Sequence, residues 1–462
     1  MRAQKVPHAG FKTASTLLLC LAACKSYEPE PLDPAHEWSQ LESVRLEDLV
    51  LKPEDNASNG KHVPPPFDYS DGLSPDEAAA VAIALNPDLR AFRVEKGIAE
   101  GELLSAGLLP NPEIDANAVN PAGPTSLAGE IDILFDLTEA LVTRGPRKAR
   151  ARARIEEVRW EVADREWQIR NEVYPALLEL SYVEETLKLN QSQRQVASRT
   201  LTSIKARKDG GTATELEVVV AEGEFAELRR QEQRLLGDKR LAQQRLNELL
   251  GLPPNHKTRL ERTENPLAYA SVSGSPESVA SQLKTRRPDL LAAEQAYLVA
   301  EKELHVEFRR RFGRLWAGPR GQREGDGTRS WGFAFSLELP IFNWNQGEIA
   351  VKNAARMQRR REYVALLHGA RAEFYAAWAQ RETLDAELKL YFADIAPRLD
   401  RSMELAERAF KQGELDLLQV LLLQGRVLRA KQEVLARLRD FHRSRIEVER
   451  TLGPTRGSVK GK

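Results

Sequence analysis

The chain has 462 residues and carries 68 basic and 68 acidic side chains, so its formal charge is zero. That balance excludes the positive excess or clustered basic stripe of a nucleic-acid binder. A hydrophobic fraction of 42% is ample for a core, while 29% charged and 6% aromatic residues match long helices rich in Ala, Glu, Leu and Arg.

The two cysteines, Cys20 and Cys24, both lie near the amino terminus, so the rest of the chain has no disulfide framework and no thiolate metal site. Arg2, Lys5 and Lys12 precede the apolar stretch "ASTLLLCLAAC". About ten apolar residues are too few to span a bilayer, which needs roughly 20, and residues 1–23 read as a secretory signal. Leu21-Ala22-Ala23-Cys24 resembles a bacterial lipobox, which makes Cys24 the candidate lipidated first residue of the mature chain. An ordinary signal peptide with an incidental cysteine is the plainer reading. Residues 24–72 contain Pro29, Pro31, Pro34, Pro53, Pro64, Pro65 and Pro66 without sustained periodicity, and read as an extended arm. No later stretch approaches 18 uninterrupted apolar residues, so only a closed barrel could carry this chain across a membrane.

From Leu73 the body is written twice. "NPDLRAFRVEKGIAEGEL" from Asn86 matches "RPDLLAAEQAYLVAEKEL" from Arg287, with Pro87 and Pro288 201 positions apart. Leu137 and Leu339, Gly145 and Gly347, Gly211 and Gly413, and Gly251 and Gly453 each lie 202 apart. Two copies of about 200 residues indicate duplication rather than a solenoid. The copies span 73–270 and 271–453, with a tail at 454–462.

Ser74-Pro75 opens the first helix with an N-cap, a first-turn proline and acidic Asp76 and Glu77. It ends before "LPNPEI", where two prolines forbid continuation. "EIDANAV" from Glu113 and "IDILFDL" flank the turn residues "NPAGPTS". In the second strand Ile131, Ile133, Phe135 and Leu137 share one face, opposite Asp132, Leu134 and Asp136, the period of two that marks a strand. Helix resumes near Gly145 and continues to about Lys208, a rod of about 95 Å unless Pro175 kinks it.

"KDGGTATELEV" then turns the chain. Gly210-Gly211 marks the turn, with Gly211 supplying left-handed backbone, and Thr214 with Glu217 restarts a helix with capping-box spacing. In the second copy, "RLWAGP" from Arg314 and "WGFAFSLEL" flank "RGQREGDGT". Trp331, Phe333, Phe335, Leu337 and Leu339 alternate with Gly332, Ala334, Ser336 and Glu338. "LPIFNWNQGEIA", Leu339 to Ala350, runs a strand-like end into an amphipathic helix that Pro397 interrupts. "KQGELDLLQV" is the second turn, with Gly413 and a cap pairing Asp416 and Gln419. In the last helix Val420, Val427, Val434, Phe441 and Val448 recur every seven residues, flanked by Leu421, Leu428 and Leu435. That spacing fits both coiled-coil packing and a plain bundle core.

Each half therefore offers one hairpin with a strongly apolar face and a small or polar one, which suits outward lipid and a wet lumen. Four strands cannot close a barrel, since such barrels start at about eight. Either the strands pack on helices in a soluble α+β domain, or several chains share a barrel.

The duplicated plan, the "NPDL" helix entry, the "LPIFNWNQGEIA" passage and the closing "LG" pairs resemble the outer-membrane efflux channel family typified by TolC. "NWNQGEI", Asn343 to Ile349, is similar to the branch serving heavy-metal efflux pumps of the resistance-nodulation-division class. The resemblance covers residues 73 to 453. It implies a mainly α chain with four membrane strands and a homotrimer whose twelve-stranded barrel lies in outer-membrane lipid. A coiled-coil-like helical barrel would continue it through the periplasm. It also implies a passive conduit, without enzymatic chemistry or cofactor, that takes substrate from an inner-membrane pump through a periplasmic adaptor. In that reading Ile131, Ile133, Phe135, Trp331, Phe333, Phe335 and Leu337 face lipid. Gly210, Gly211, Thr214, Gly413 and Asp416 form tips that meet the adaptor, and Glu217, Asp416 and Gln419 are candidates for the pore constriction. The typical aspartates after the second turn are absent, since Gln419 and Leu422 stand six and nine positions after Gly413. A threefold ring of Glu217 or Asp416 would repel itself unless hydrated or cation-bound.

The seven histidines, His8, His36, His62, His256, His305, His368 and His442, are scattered without ligand spacing, so no metal site is read and metal cargo rests on the branch resemblance alone. No P-loop or nucleophile elbow is present. Two other readings stay open: a lipid-anchored periplasmic coiled-coil or adaptor protein, and a channel for drugs or secreted proteins.

Overall fold

The computed structural model describes residues 27–46, 49, 69–119, 127–261, 267–270, 274–412 and 414–454. The signal segment, Cys24, the first hairpin loop, Gly413 and residues 455–462 lie outside them. The chain divides into two units, Met1–Val44 and Arg45–Lys462.

The first unit holds α1 (Pro34–Ser43), a helix in a segment whose prolines argue for an extended arm. The correction has a local cause. Asp33 caps the helix, accepting from the backbone N–H groups of Ala35 at 3.0 Å and His36 at 3.3 Å, and Pro34 occupies the first turn, where its missing N–H costs nothing.

The second unit begins with α2 (Pro75–Leu85) and α3 (Pro87–Gly107). Strands β1 (Glu113–Val119) and β2 (Ala128–Asp136) follow. A π turn, Glu139–Thr143, leads into α4 (Arg144–Asp209), 66 residues long and continuous through Pro175. Next come α5 (Glu215–Leu250), the short α6 (Pro276–Ala280) and α7 (Leu283–Arg286), and α8 (Pro288–Arg310). Strands β3 (Leu315–Arg323) and β4 (Arg329–Leu337) precede α9 (Gln346–Leu390). A second π turn, Tyr391–Ile395, joins α9 to α10 (Ala396–Gln412), and α11 (Leu417–Leu452) closes the unit. Among the described residues no helix is long and apolar enough to cross a membrane.

The two halves of the second unit close in the same way. Gly251, in left-handed conformation at φ +69, ends α5 against the backbone of Leu85, where an added Cβ would lie 2.8 Å from the carbonyl oxygen. Gly453, at φ +84, does the same after α11 against Arg286, with a Cβ 2.7 Å from its carbonyl carbon. Each copy thus closes its last helix onto the turn that opens its first pair. In the first copy a bridge between Leu73 and Leu260 adds to the closure, with Leu73 N–H donating to Arg259 O at 2.9 Å.

The seven-residue spacing of α11 marks its inner face. Val420, Val427, Phe441 and Val448 are buried and Val434 is half-buried. Phe441 and Leu438 pack with Leu384 and Leu388 of α9, while Val448 and Leu452 pack with Phe374 and Trp378. At the far end Leu428 meets Ala197 of α4 and Leu228 of α5. These apolar layers run along the rods because helices this long gain most of their stability from packed neighbours rather than from propensity.

Candidate functional site

The four strands form one antiparallel sheet in the order β1-β2-β3-β4. Register assigns its faces. Ile114 pairs with Ile133, Ala116 with Ile131, and Phe135 with Ala317. Gly321 pairs with Trp331, Pro319 with Phe333, Ala317 with Phe335 and Leu315 with Leu337. Paired residues share a face, so the large apolar side chains of both hairpins lie on one side. There they are uncovered, Trp331 and Phe333 each at 85% exposure. Small residues on β3 make room for them, since a Cβ on Gly321 would sit 3.2 Å from the Trp331 ring. Gly318 lets the β2 backbone approach, because a Cβ there would overlap Ile133 O. The β4 strand ends at Leu337, short of the expected Leu339, and Leu339 to Asn345 form an irregular passage before α9.

The opposite face is polar. Asp115 pairs with Asp132, Asn117 with Glu130, and Asp132 with Arg320. Arg320 grips the buried Asp132 carboxylate with two N–H donors at 2.9 and 2.7 Å and reaches Glu130 at 3.3 Å. This salt-bridged side suits water as clearly as the other suits hydrocarbon. The outer edges of β1 and β4 carry no partner strand among the described residues.

At the other end of the rods, the two turns lie side by side. Ile204 of α4, Val218 and Ala221 of α5, Phe410 of α10 and Leu421 of α11 form one apolar cluster. Arg207 lies 5.8 Å above the Phe410 ring. Gly210 ends α4 and Gly211 takes φ +74, as the turn requires. Thr214 caps α5: its hydroxyl accepts from Glu217 N–H at 3.3 Å, while its own N–H donates to the Glu217 carboxylate at 2.6 Å. That backbone bond, with the Thr214 hydroxyl, holds the Glu217 pKa below the usual range. Lys208 also pairs with Glu215 across this turn. In the second tip Asp416 accepts from Gln419 N–H at 2.8 Å and donates its N–H to the Gln419 amide at 3.2 Å. The three constriction candidates, Glu217, Asp416 and Gln419, are therefore all engaged in capping boxes.

A polar cavity, not anticipated from periodicity, lies where α4 meets the start of α8 and the end of α11. Asp164, Trp167, Gln168, Asn171, Arg287, Asp289 and Arg450 line a volume of about 310 Å³. Arg287 holds Asp289 through two bonds of 3.0 and 2.6 Å and reaches Glu373 at 3.1 Å. Burial, then the neighbouring Asp289 charge, pushes the Asp164 carboxyl up to about 6. No short motif signals this cavity, because its parts come from positions more than a hundred residues apart. Among the described residues no three His, Cys, Asp or Glu side chains come together as metal ligands.

No protein-family model matches the chain. It is 23% identical over 396 residues to the cobalt-zinc-cadmium resistance protein CzcC of Cupriavidus metallidurans, covering 84% of this chain and 92% of CzcC. It is 27% identical over 249 residues to the outer membrane protein OprJ of Pseudomonas aeruginosa, about half of each chain. Among solved structures, CusC, described by its transmembrane channel formation, superposes with a TM-score of 0.69 at 17% identity, over 86% of this chain and 98% of CusC. That likeness is one of fold. With the lipid-suited sheet and the paired tips, these comparisons give one consistent likeness: the chain is similar in sequence to CzcC and OprJ, and in fold to the TolC-like outer-membrane efflux channels.

Proposed function

We propose that this chain is one third of an outer-membrane channel that serves a tripartite efflux system. The observation that carries the reading is the sheet, with one face apolar and exposed, the other polar and salt-bridged, and both edges open among the described residues. Open edges are not tolerated in hydrocarbon, so further copies must supply the missing strands. Three copies give twelve strands, within the range of closed membrane barrels. Ile131, Ile133, Phe135, Trp331, Phe333, Phe335 and Leu337 then face lipid, and Asp132 and Arg320 face the lumen. The helices extend into the periplasm, where the tips at Gly210, Gly211, Thr214, Gly413 and Asp416 meet an adaptor of an inner-membrane pump. Glu217, Asp416 and Gln419 ring the narrowest point. Acylation of Cys24 tethers the mature chain.

The cargo is metal cations. Support comes from the likeness to CzcC across most of both chains and from the "NWNQGEI" passage. The chain contributes a passage rather than a reaction.

The test is single-channel conductance of the purified protein in planar bilayers, with its assembled mass measured beside it. A conducting trimer is expected, and a monomer that leaves the bilayer silent would remove the reading in favour of a tethered periplasmic rod. Cargo is read separately, as sensitivity of a deletion strain to divalent metal salts against drugs and dyes.

A further inference from the structure

The last turns of α8 and the connection after it read "HVEFRRRFGR", His305 to Arg314, directly before β3. His305, Phe308 and Arg309 fall on one helical face, Phe312 follows two residues after the helix ends, and all four are exposed. Arg310 is bound to Glu307 at 2.9 Å. Arg309 is not so used: its Nε donates only to His305 Nε2 at 3.3 Å. Arg311 lies over the Phe312 ring at 5.1 Å. Neither forms an ion pair among the described residues.

This end of the helix is held beside the base of the sheet. Asn345 donates to Glu307 O at 3.0 Å and to its carboxylate at 2.8 Å, which fixes the passage from β4 to α9 against α8. A Cβ on Gly313 would overlap Glu338 O, so the two connections are in backbone contact. The apolar face of the sheet ends at the pair Leu315–Leu337. Beyond it Leu339, Ile341, Phe342 and Trp344 remain exposed, Phe342 at 91%. Free guanidinium groups among exposed aromatic rings, at the margin of an apolar band, match the chemistry of a membrane boundary, where rings settle among headgroups and arginine forks meet phosphate.

We propose that Arg309 and Arg311 bind the phosphate of phospholipid headgroups in the leaflet at the helical end of the barrel, with Phe308 and Phe312 seated beside them, and so fix the depth of the channel. The proposal rests on the outer-membrane reading above.

The full-length chain would be inserted into vesicles of phosphatidylcholine containing a minor share of phosphatidylglycerol, extracted in mild detergent, and its retained lipids counted by native mass spectrometry. Wild type should keep phosphatidylglycerol, with retention falling roughly fivefold for each arginine changed in R309Q and R309Q/R311Q. R309K/R311K should fall between, and R359Q/R360Q, on exposed α9, should match wild type. Equal retention by R309Q/R311Q and wild type would overturn the proposal, leaving these arginines as charges on a helix C-terminus. Displacement of the lipid by millimolar inorganic phosphate would also overturn it, as would a change in ion selectivity with lipid retention unaltered. Failure of wild type to float with the vesicles would instead overturn the outer-membrane reading, and the lipid site with it.

Discussion

The two copies of the repeat share a plan and differ in how each solves the same local problem. In the first, Asn86 caps α3 by accepting from Leu89 N–H at 3.0 Å. In the second, the equivalent Arg287 cannot accept a bond, and its guanidinium instead lines the polar cavity and binds Asp289 and Glu373. The first long helix passes Pro175 unbroken, whereas the second widens into a π turn before Pro397, with Ala396 N–H donating to Tyr391 O. Proline lacks the donor that α-geometry needs, and a wider turn absorbs the mismatch. The tips reverse their chemistry too: a hydroxyl at N-cap with a carboxylate at N3 in the first, a carboxylate at N-cap with an amide at N3 in the second. The two halves share the geometry and reach it with different side chains.

The strongest test of that equivalence is the pair of closing glycines. Gly251→Ala and Gly453→Ala each place a Cβ on left-handed backbone against a neighbouring main chain, and each should cost about 2–4 kcal/mol, read from denaturant unfolding midpoints. If only one is costly, the closure is not shared. Next come the hairpins. Phe333→Arg and Ile133→Arg should each lose about 2–4 kcal/mol of barrel stability near the bilayer centre, measured by urea titration from vesicles. Phe333→Arg should be the worse, because more apolar surface is removed from lipid with it. No loss at Ile133 would mean that the first hairpin does not share the membrane face.

The cavity gives an asymmetry with a pH signature. Asp164 belongs to the first copy, and its counterpart in the second is Leu366. With a folded pKa of about 6 against an ordinary 3.8, folded Asp164 keeps a proton that the unfolded chain has already released. Its contribution therefore makes stability fall as pH rises from about 4 to about 6, with no further change above. Asp164→Asn should be about 1–2 kcal/mol more stable than wild type at pH 7, and the gap should close below pH 4. A gap independent of pH would show that the carboxyl is not strained there. The smallest effects belong to the tips. Thr214→Ala and Asp416→Ala should each cost about 1 kcal/mol, seen as earlier fraying in amide hydrogen exchange at the start of α5 and α11. Loss of conductance control without fraying would assign Asp416 to the constriction rather than to the cap.

The elements and their faces were legible before any coordinates. Period-two alternation marked both hairpins, "TELE" and "DLLQ" marked the tip caps, and valines seven apart marked the inner side of α11, because each is a local or periodic property of the chain. The hidden features depend on residues distant in sequence. The order β1-β2-β3-β4 requires β2 and β3, separated by nearly 180 residues, to pair, and the Asp132–Arg320 bond exists only once they do. Nothing in "RPDL" announces that Arg287 gives up capping to line a cavity with Asp164 and Arg450. Helix α1 was hidden by its prolines, one of which sits where a helix accepts it. Sequence by itself determined most of the helices and strands and which face of each is apolar, since those follow from backbone propensity and side-chain period. Tertiary structure decided which strands pair, which glycines close the repeats and which charges meet, since those depend on long-range contacts that pay off only after the intervening chain has folded.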